Sequence, residues 1–146
     1  MASPKVFAAR LSGLANAIEL NSGDAFRNLV GTILVTVVAA TPVGGPPTSP
    51  KDIHPGLARS NWQVFAGVQS AFVTLPAAAV SDVVSRGLTN VRLLRHDGVA
   101  TISNAALHIR ALDAGWSSQA PAGFVQASAD AGFRAARRVQ LLRRRR

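Results

Sequence analysis

Leu29–Ala40 reads LVGTILVTVVAA and, with 12 residues, is the longest apolar run in the chain. Its β-branched residues would suit a buried strand, but its apolar positions also follow a helical period. Ser22 or Asp24 can cap a helix that includes this run, and from Asp24 the segment has 17 residues, which is too long for one strand. A helix that spans a bilayer needs about 20 residues. We therefore expect a core helix that ends before Pro42, and no membrane span.

The segments on either side of this run predict another helix and a long loop. Residues 4–20 carry one apolar stripe at helical spacing, formed by Phe7, Leu11, Leu14 and Ile18. Asn21-Ser22-Gly23 is expected to break the chain between this first helix and the second. Residues 41–58 hold five of the eight prolines and three glycines, so a surface loop is expected there.

The second half of the chain predicts a small sheet and more helices. Strands are expected at residues 62–66, 90–95 and 98–103, and helices at residues 77–86, 105–114 and 124–142. A turn at His96-Asp97-Gly98 would join the last two strands, and Leu107 and Leu112 would face inward. The predicted fold class is α+β, with a small, mainly antiparallel sheet packed against N-terminal and C-terminal helices. Residues 1–133 are expected to form one domain that includes the long Pro/Gly-rich loop.

The positive charge of the chain is concentrated at one end. The 146 residues contain 16 Lys and Arg and 7 Asp and Glu, for a net charge of +9. Residues 134–146 form a basic helix end or tail with seven arginines and no acid, which leaves +2 for the rest. The arginines are Arg134, Arg137, Arg138, Arg143, Arg144, Arg145 and Arg146. Such a tail can contact phosphates, dock on an acidic partner, or remain solvated.

Composition and motifs exclude several classes of protein. The chain is 48% hydrophobic and 16% charged, which is too apolar for a disordered protein. It has no cysteine, so disulfides, thiolate metal sites and thiol nucleophiles are excluded. Phosphate-binding loops and serine-nucleophile motifs are absent from the sequence, and the three histidines lack the spacing of metal ligands. We therefore predict no catalytic residue, no cofactor and no metal ion.

The two tryptophans predict different environments. Trp62 falls on an alternating strand, where packing in the core is the expected role. Trp116 follows a glycine that ends a helix and precedes Ser117-Ser118-Gln119, which is a more exposed position. Local packing and contact with a partner are both open for Trp116.

Two blocks of residues resemble a known family. Thr41-Pro42-Val43, followed by Ala58-Arg59-Ser60-Asn61-Trp62, resembles the TPV…G…aR.NW signature of minor tail proteins in long-tailed bacteriophages. The second block is similar to their NN.pYa..LE.GwS.QAP.GmV segment. It comprises Ser103-Asn104, Gly115-Trp116-Ser117, Gln119-Ala120-Pro121 and Gly123. The family that shows both signatures is that of the head–tail joining or tail-completion (neck) proteins. Taken in order, the two blocks frame about residues 5–135.

The chain departs from the family pattern at several positions. Gly44-Gly45-Pro46-Pro47 stands where the family commonly has an Asp-Thr-Gly turn directly after TPV. Asp113 occupies the position of the usual glutamate, and Phe124 that of the usual methionine. These departures concern contacts between subunits more than they concern the fold.

The resemblance implies a subunit of a ring, six copies of which lie between the head connector and the tail tube. The implied partners are other copies of the chain, head connector or head-closure proteins, and tail terminator or tail tube proteins. The implied location is the neck or tail of the virion, and the host cytoplasm during assembly, with DNA passing through the ring. Residues expected at the contacts are Thr41, Pro42, Pro46, Pro47, Arg59, Trp116, Ser117, Gln119 and Pro121.

Two alternatives remain open beside this interpretation. A small nucleic-acid-binding protein could act through the arginines at the C-terminal end, with non-specific contact to DNA. A tail terminator would have the same size and architecture as a tail-completion protein. An enzyme with an unrecognised site has almost no support in the sequence.

Overall fold

Seven elements follow one another in the computed structural model, which describes residues 4–44, 55–69, 71 and 73–143, with side chains between Ser22 and Arg138. The helices are α1 (Pro4–Ala40), α2 (Leu57–Ser60), α3 (Val80–Arg92), α4 (Ile109–Asp113) and α5 (Phe124–Arg143). The strands are β1 (Trp62–Ala66) and β2 (Ala100–Asn104). The chain is therefore α+β, with its N-terminal and C-terminal helices packed on a small antiparallel sheet, as predicted.

Helix α1 is continuous over 37 residues, and the predicted break at Asn21-Ser22-Gly23 is wrong. The Asp24 carboxylate does not cap a second helix; it forms an ion pair with Arg27, 3.1 Å away and one turn later. Arg27 also donates to the carbonyl oxygen of Leu94, a residue in the segment that follows α3. These contacts hold the middle of α1 helical although Asn, Ser and Gly are weak helix formers.

The apolar run of α1 lies in the core, between α3 and α5. Val30, Leu34, Val37 and Val38 are buried together with side chains from both helices and from β1. Two glycines allow the close approach of the helices. A Cβ on Gly132 of α5 would overlap the Ile33 side chain, and a Cβ on Gly87 of α3 would overlap Leu34.

The sheet has two strands in the described part of the chain, and the predicted strand at residues 90–95 is wrong. Strands β1 and β2 are antiparallel, with Trp62 opposite Asn104 and Ala66 opposite Ala100. Helix α3 continues through Gly87 to Arg92, beyond the predicted end at residue 86. Its buried residues Val83, Gly87 and Val91 are four apart on one side of the helix, so burial against α1 extends the helix.

The predicted helix at residues 105–114 is shortened to α4. Strand β2 runs through Asn104, whose side-chain oxygen accepts a hydrogen bond from the Ala106 amide at 2.9 Å. Leu107 was expected to face inward but is 98% exposed, because the chain has not yet entered α4 at that residue. Leu112 packs against the core as predicted.

The segment Ser22–Ala40 is long and apolar enough to cross a membrane, with a mean hydropathy of 1.3. One third of this segment is buried inside the molecule. Core helices of soluble proteins have the same length and composition. Its buried apolar residues face α3, α5 and the sheet.

Candidate interaction site at the base of the proline-rich loop

Thr41 connects the end of α1 to two residues of the first sequence block. Its carbonyl oxygen accepts hydrogen bonds from Nε and Nη2 of Arg59, at 3.0 and 2.8 Å. Its hydroxyl accepts from Nε1 of Trp62 at 2.7 Å and donates to the carbonyl oxygen of Val37 at 2.6 Å. Thr41 is fully buried, so these bonds are shielded from competing water. They fix the point at which the proline-rich loop leaves the helix.

Gln119 closes the same loop from the second sequence block. Its side-chain oxygen accepts hydrogen bonds from the amides of Val43, at 3.0 Å, and Gly44, at 3.2 Å. The Val43 carbonyl in turn accepts from the Gly56 amide at 2.8 Å. The two ends of the proline-rich loop, at Gly44 and Gly56, are therefore held close together. We call this set of contacts the loop base.

Asn61 and Ser60 tie the loop base to the segment that precedes α3. The Asn61 amide nitrogen donates to the carbonyls of Leu57 and Leu75, and its oxygen accepts from the Leu75 amide at 2.6 Å. The Ser60 hydroxyl is hydrogen-bonded to the Ala78 backbone. Every buried side-chain nitrogen or oxygen in the described residues has a hydrogen-bond partner, so this polar cluster is fully satisfied.

Three residues of this cluster were not predicted to act there. Asn61 lies inside the first block but had no assigned role, and Asn104 donates to the Ala58 carbonyl at 2.7 Å. Arg86 reaches the Ser60 carbonyl from α3 at 2.7 Å. The buried Asn within the first block was a usable signal, because buried amides require partners. Nothing in the local sequence around Arg86 indicates its contact.

Trp116 projects from the turn between α4 and α5. Its backbone is held by a hydrogen bond from its amide to the Ala111 carbonyl, and Gly115 before it has a φ of 92°. That φ lies in the left-handed region that glycine adopts without strain. The Gln119 amide donates to the Ser117 hydroxyl at 3.2 Å. The Trp116 side chain is 83% exposed, as its position predicted.

The residues expected at contacts are therefore placed in different environments. Thr41 and Pro42 are buried, Arg59 and Ser117 are half-buried, and Trp116, Gln119 and Pro121 are exposed. The predicted contact residues Pro46 and Pro47 lie outside the described residues. The structure brings Thr41, Arg59 and Gln119 together at the loop base.

The basic end of the chain belongs to α5 up to residue 143. Arg134, Arg137 and Arg138 are exposed, and their spacing of three and four residues places them on one side of the helix. Arg143 is the last residue of α5, and its side chain is not among those described. Arg144, Arg145 and Arg146 lie outside the described residues.

Two titratable groups have pKa values displaced by their surroundings. Partial burial lowers the pKa of His108, at the start of α4, because desolvation disfavours the imidazolium. The hydrogen bond from Arg95 lowers the pKa of the Asp97 carboxyl in an exposed turn. Among the described residues no three His, Cys, Asp or Glu side chains cluster where they could hold a metal ion.

Comparison with known proteins identifies no relative. The chain matches no family model, no curated protein and no solved structure.

Proposed function

We propose that the chain is a structural protein of a tailed phage or a phage-like particle. Copies of the chain form a ring in the neck, which completes the tail and joins it to the head, and DNA passes through the ring. Its partners are other copies of itself, head connector or head-closure proteins, and tail terminator or tail tube proteins. It resides in the virion and, during assembly, in the host cytoplasm.

The contact of Gln119 with Val43 and Gly44 is the observation that carries this proposal. The two blocks that resemble the neck family are 76 residues apart at this contact, yet they share hydrogen bonds at the loop base. Residues of both blocks therefore lie at one site of the folded chain. This proximity supports the interpretation that the two blocks act together in one subunit.

The proposed contact residues have two roles, which differ in whether the side chain bonds within the chain or is exposed to solvent. Thr41 and Arg59 bond to the chain's own backbone, so their role is to fix the loop base. Trp116 is an exposed aromatic residue three positions before Gln119 in the chain. Exposed aromatic residues are enriched at the centres of protein interfaces. Trp116 is therefore the residue we assign to contact with a partner.

The assembly state tests the proposal directly. Negative-stain microscopy of the purified chain, alone and with the tail-tube protein of the same particle, should show rings that seat on tube ends. Trp116→Ala should reduce the fraction of tubes with a ring. Leu93→Ala, which also shortens an exposed apolar side chain, should not. A persistent monomer that never joins a tube or a particle would contradict the proposal.

The exposed arginines of α5 favour a second candidate, a protein that binds nucleic acid through its C-terminal end. Arg134, Arg137 and Arg138 present three positive charges on one side of a helix. Each phosphate that is neutralised adds about 0.9 to the slope of log affinity against log salt concentration. Removing Arg143–Arg146, together with Arg134→Gln, Arg137→Gln and Arg138→Gln, should abolish most of the affinity for duplex DNA if this candidate is right. Under the neck-ring proposal the same changes should leave ring assembly intact.

A further inference from the structure

The first half of α1 extends beyond the end of α5. Helix α5 begins near the C-terminal end of α1, where Gln119 bonds to Val43. Further along α5, Gly132 lies against the turn of α1 that holds residues 29–33. The two helices are therefore antiparallel. Helix α5 ends 11 residues after Gly132, so its last turn lies beside about residue 20 of α1.

Helix α3 and the sheet also stop short of residues 4–20. Helix α3 runs antiparallel to α1, with Gly87 against Leu34, and the Leu94 carbonyl accepts from Arg27 before the chain turns back toward β2. Strand β1 begins at the C-terminal end of α1, and its five residues cover about 13 Å. The 37 residues of α1 cover about 55 Å. Among the described elements, none therefore packs along residues 4–20, which we call the arm.

The proline-rich loop is too far away to cover the arm. Val43 and Gly56 are hydrogen-bonded to each other, so the loop leaves and returns beyond the C-terminal end of α1. A chain spans at most about 3.6 Å per residue, so ten residues that return to their starting point reach about 18 Å. Residue 20 lies about 30 Å from Ala40, the last residue of α1. The arm is therefore open to a second molecule.

The apolar stripe of the arm matches itself when the arm is turned end to end. Phe7, Leu11, Leu14 and Ile18 are separated by four, three and four residues. This is the spacing of a coiled-coil seam, and it is the same in both directions. In an antiparallel pair of arms, position 7 of one copy lies opposite position 18 of the other, and position 11 lies opposite position 14. A reciprocal contact of this kind is typical of a two-fold interface between identical chains.

Charge favours the antiparallel arrangement over the parallel one. The arm contains only Lys5, Arg10 and Glu19, a net charge of +1, so two arms repel each other weakly. The arginine-rich end of α5 lies beside the root of the arm, near residue 20. In an antiparallel pair the two roots are about 24 Å apart, well beyond the Debye length of about 8 Å. A parallel pair would place both arginine-rich ends side by side.

We propose that the arm pairs with the arm of a second copy of this chain, as two antiparallel helices that share their apolar stripes. Because the arm continues a helix that is packed in the body, pairing needs no new helix nucleus. The contact is about 24 Å long and smaller than a standard interface, so the expected dissociation constant lies between about 10 μM and 1 mM. The inference goes beyond the proposed ring and does not depend on it, since the arm and the loop base are at opposite ends of α1.

Sedimentation velocity of the purified chain at rising concentration measures the pairing. Leu11→Glu places a charge in the stripe and should weaken dimer formation at least about 10-fold. The matched control is Ala9→Glu, which adds the same charge about 200° around the helix and should change the dissociation constant less than about 2-fold. Neither variant should change thermal unfolding at concentrations where the chain is monomeric, because the arm lies outside the body. Trp116→Ala, which tests the ring, should leave the dimer unchanged.

Cross-linking tests the direction of the pair. The chain has no cysteine, so one can be introduced at a chosen position beside the stripe. In the antiparallel pair, positions 8 and 15 of different copies are about 3 Å apart along the axis, whereas two copies of position 8 are about 14 Å apart. A mixture of Ala8→Cys and Ala15→Cys chains should therefore give mixed dimers with a short bismaleimide. Ala8→Cys alone should give at least about 5-fold fewer dimers.

Each contrary outcome overturns a stated part of the inference. A chain that stays monomeric up to about 1 mM overturns the pairing, and so does association that Leu11→Glu leaves unchanged or that Ala9→Glu weakens equally. Lower thermal stability of Leu11→Glu would show that the stripe packs on its own body. Binding to anionic lipid vesicles that requires Leu11, without self-association, would assign the stripe to a membrane surface instead. Efficient cross-linking of Ala8→Cys to itself would overturn the antiparallel direction. Rings on tail tubes and their loss in Trp116→Ala are scored separately and bear on the neck-ring proposal alone.

Discussion

Thr41 holds three parts of the chain together through one hydroxyl and one carbonyl group. The Thr41 hydroxyl accepts a hydrogen bond from Trp62 and donates one to the carbonyl of Val37, one turn earlier in α1. The Thr41 carbonyl accepts from Arg59. Trp62 was predicted to lie in the core and is 4% exposed, which confirms that prediction. Its bond to Thr41 could not be predicted, because an alternating strand pattern gives the direction of a side chain and not its partner.

Thr41→Val should destabilise the fold by about 1–3 kcal/mol. The substitution preserves the shape of the side chain but leaves the buried Nε1–H group of Trp62 without an acceptor. Urea denaturation measures the change in the free energy of unfolding. The control is Thr36→Val, because the Thr36 hydroxyl also bonds to the carbonyl one turn earlier but is only half-buried, and the Trp62 indole bonds to Thr41 instead. Equal losses for both variants would contradict the role assigned to Thr41.

Gln119→Ala should destabilise the fold by about 1 kcal/mol, at the low end for two lost hydrogen bonds, because the bonds are solvent-exposed. The amides of Val43 and Gly44 should also exchange with solvent faster. Hydrogen exchange and urea denaturation measure these two effects. Gln126→Ala is the control, since that side chain bonds to Asp130 within α5 and should change stability by less than about 0.5 kcal/mol. Unchanged exchange at Gly44 would contradict the proposed closure of the loop.

At the scale of elements, the packing of α1 against α5 depends on small residues at the points of contact. The helical period of residues 124–142 predicts that Phe124 and Ser128 lie on one side of a helix, and both are buried. Gly132 has no side chain to contribute to an apolar period, although a Cβ at this position would overlap the Ile33 side chain of α1. The sequence therefore predicted the helix and its buried side but not the contact that sets the distance between the helices.

Gly132→Ala should destabilise the fold by about 1–3 kcal/mol, the usual cost of overpacking a core. The added methyl group would overlap Ile33 and lie 3.3 Å from the Leu29 carbonyl oxygen, so α5 would have to move away from α1. The matched variant is Gly23→Ala in α1, where the methyl group meets only the flexible end of Arg27. That variant should gain about 0.5–1 kcal/mol from better helix propensity. Thermal and urea unfolding measure both, and a stabilising Gly132→Ala would contradict the close packing.

At the scale of the whole molecule, the two ends of the proline-rich loop are held at one place. Arg59, Gln119 and Gly56 hold both ends of the proline-rich loop through contacts among described residues. Most of the net positive charge falls in residues 134–146, which hold seven of the 16 basic residues and no acid.

Replacing residues 45–54 with a four-residue Gly-Ser linker should leave the free energy of unfolding within about 1 kcal/mol of the original. The entropy of loop closure varies slowly with length, by about 0.6 kcal/mol for each doubling. Urea denaturation tests this expectation. The same replacement in the Gln119→Ala background is the control. This double variant should unfold at a lower urea concentration, because it also lacks the hydrogen bonds from Val43 and Gly44 to Gln119. A large loss in the single replacement would show that the loop contributes to the core.

By itself, the sequence determined the α+β class, the buried face of residues 29–40, strand β1, helix α5 and the exposure of Trp116. These features depend on apolar period, proline, glycine and turn residues, which act within a few positions of each other. Only the tertiary structure decided that α1 runs through Asn21-Ser22-Gly23, and that α3 continues where a strand was predicted. It also decided that Gln119 meets Val43, 76 residues away. Burial against distant segments outweighs weak local preferences, and a local pattern carries no record of those segments.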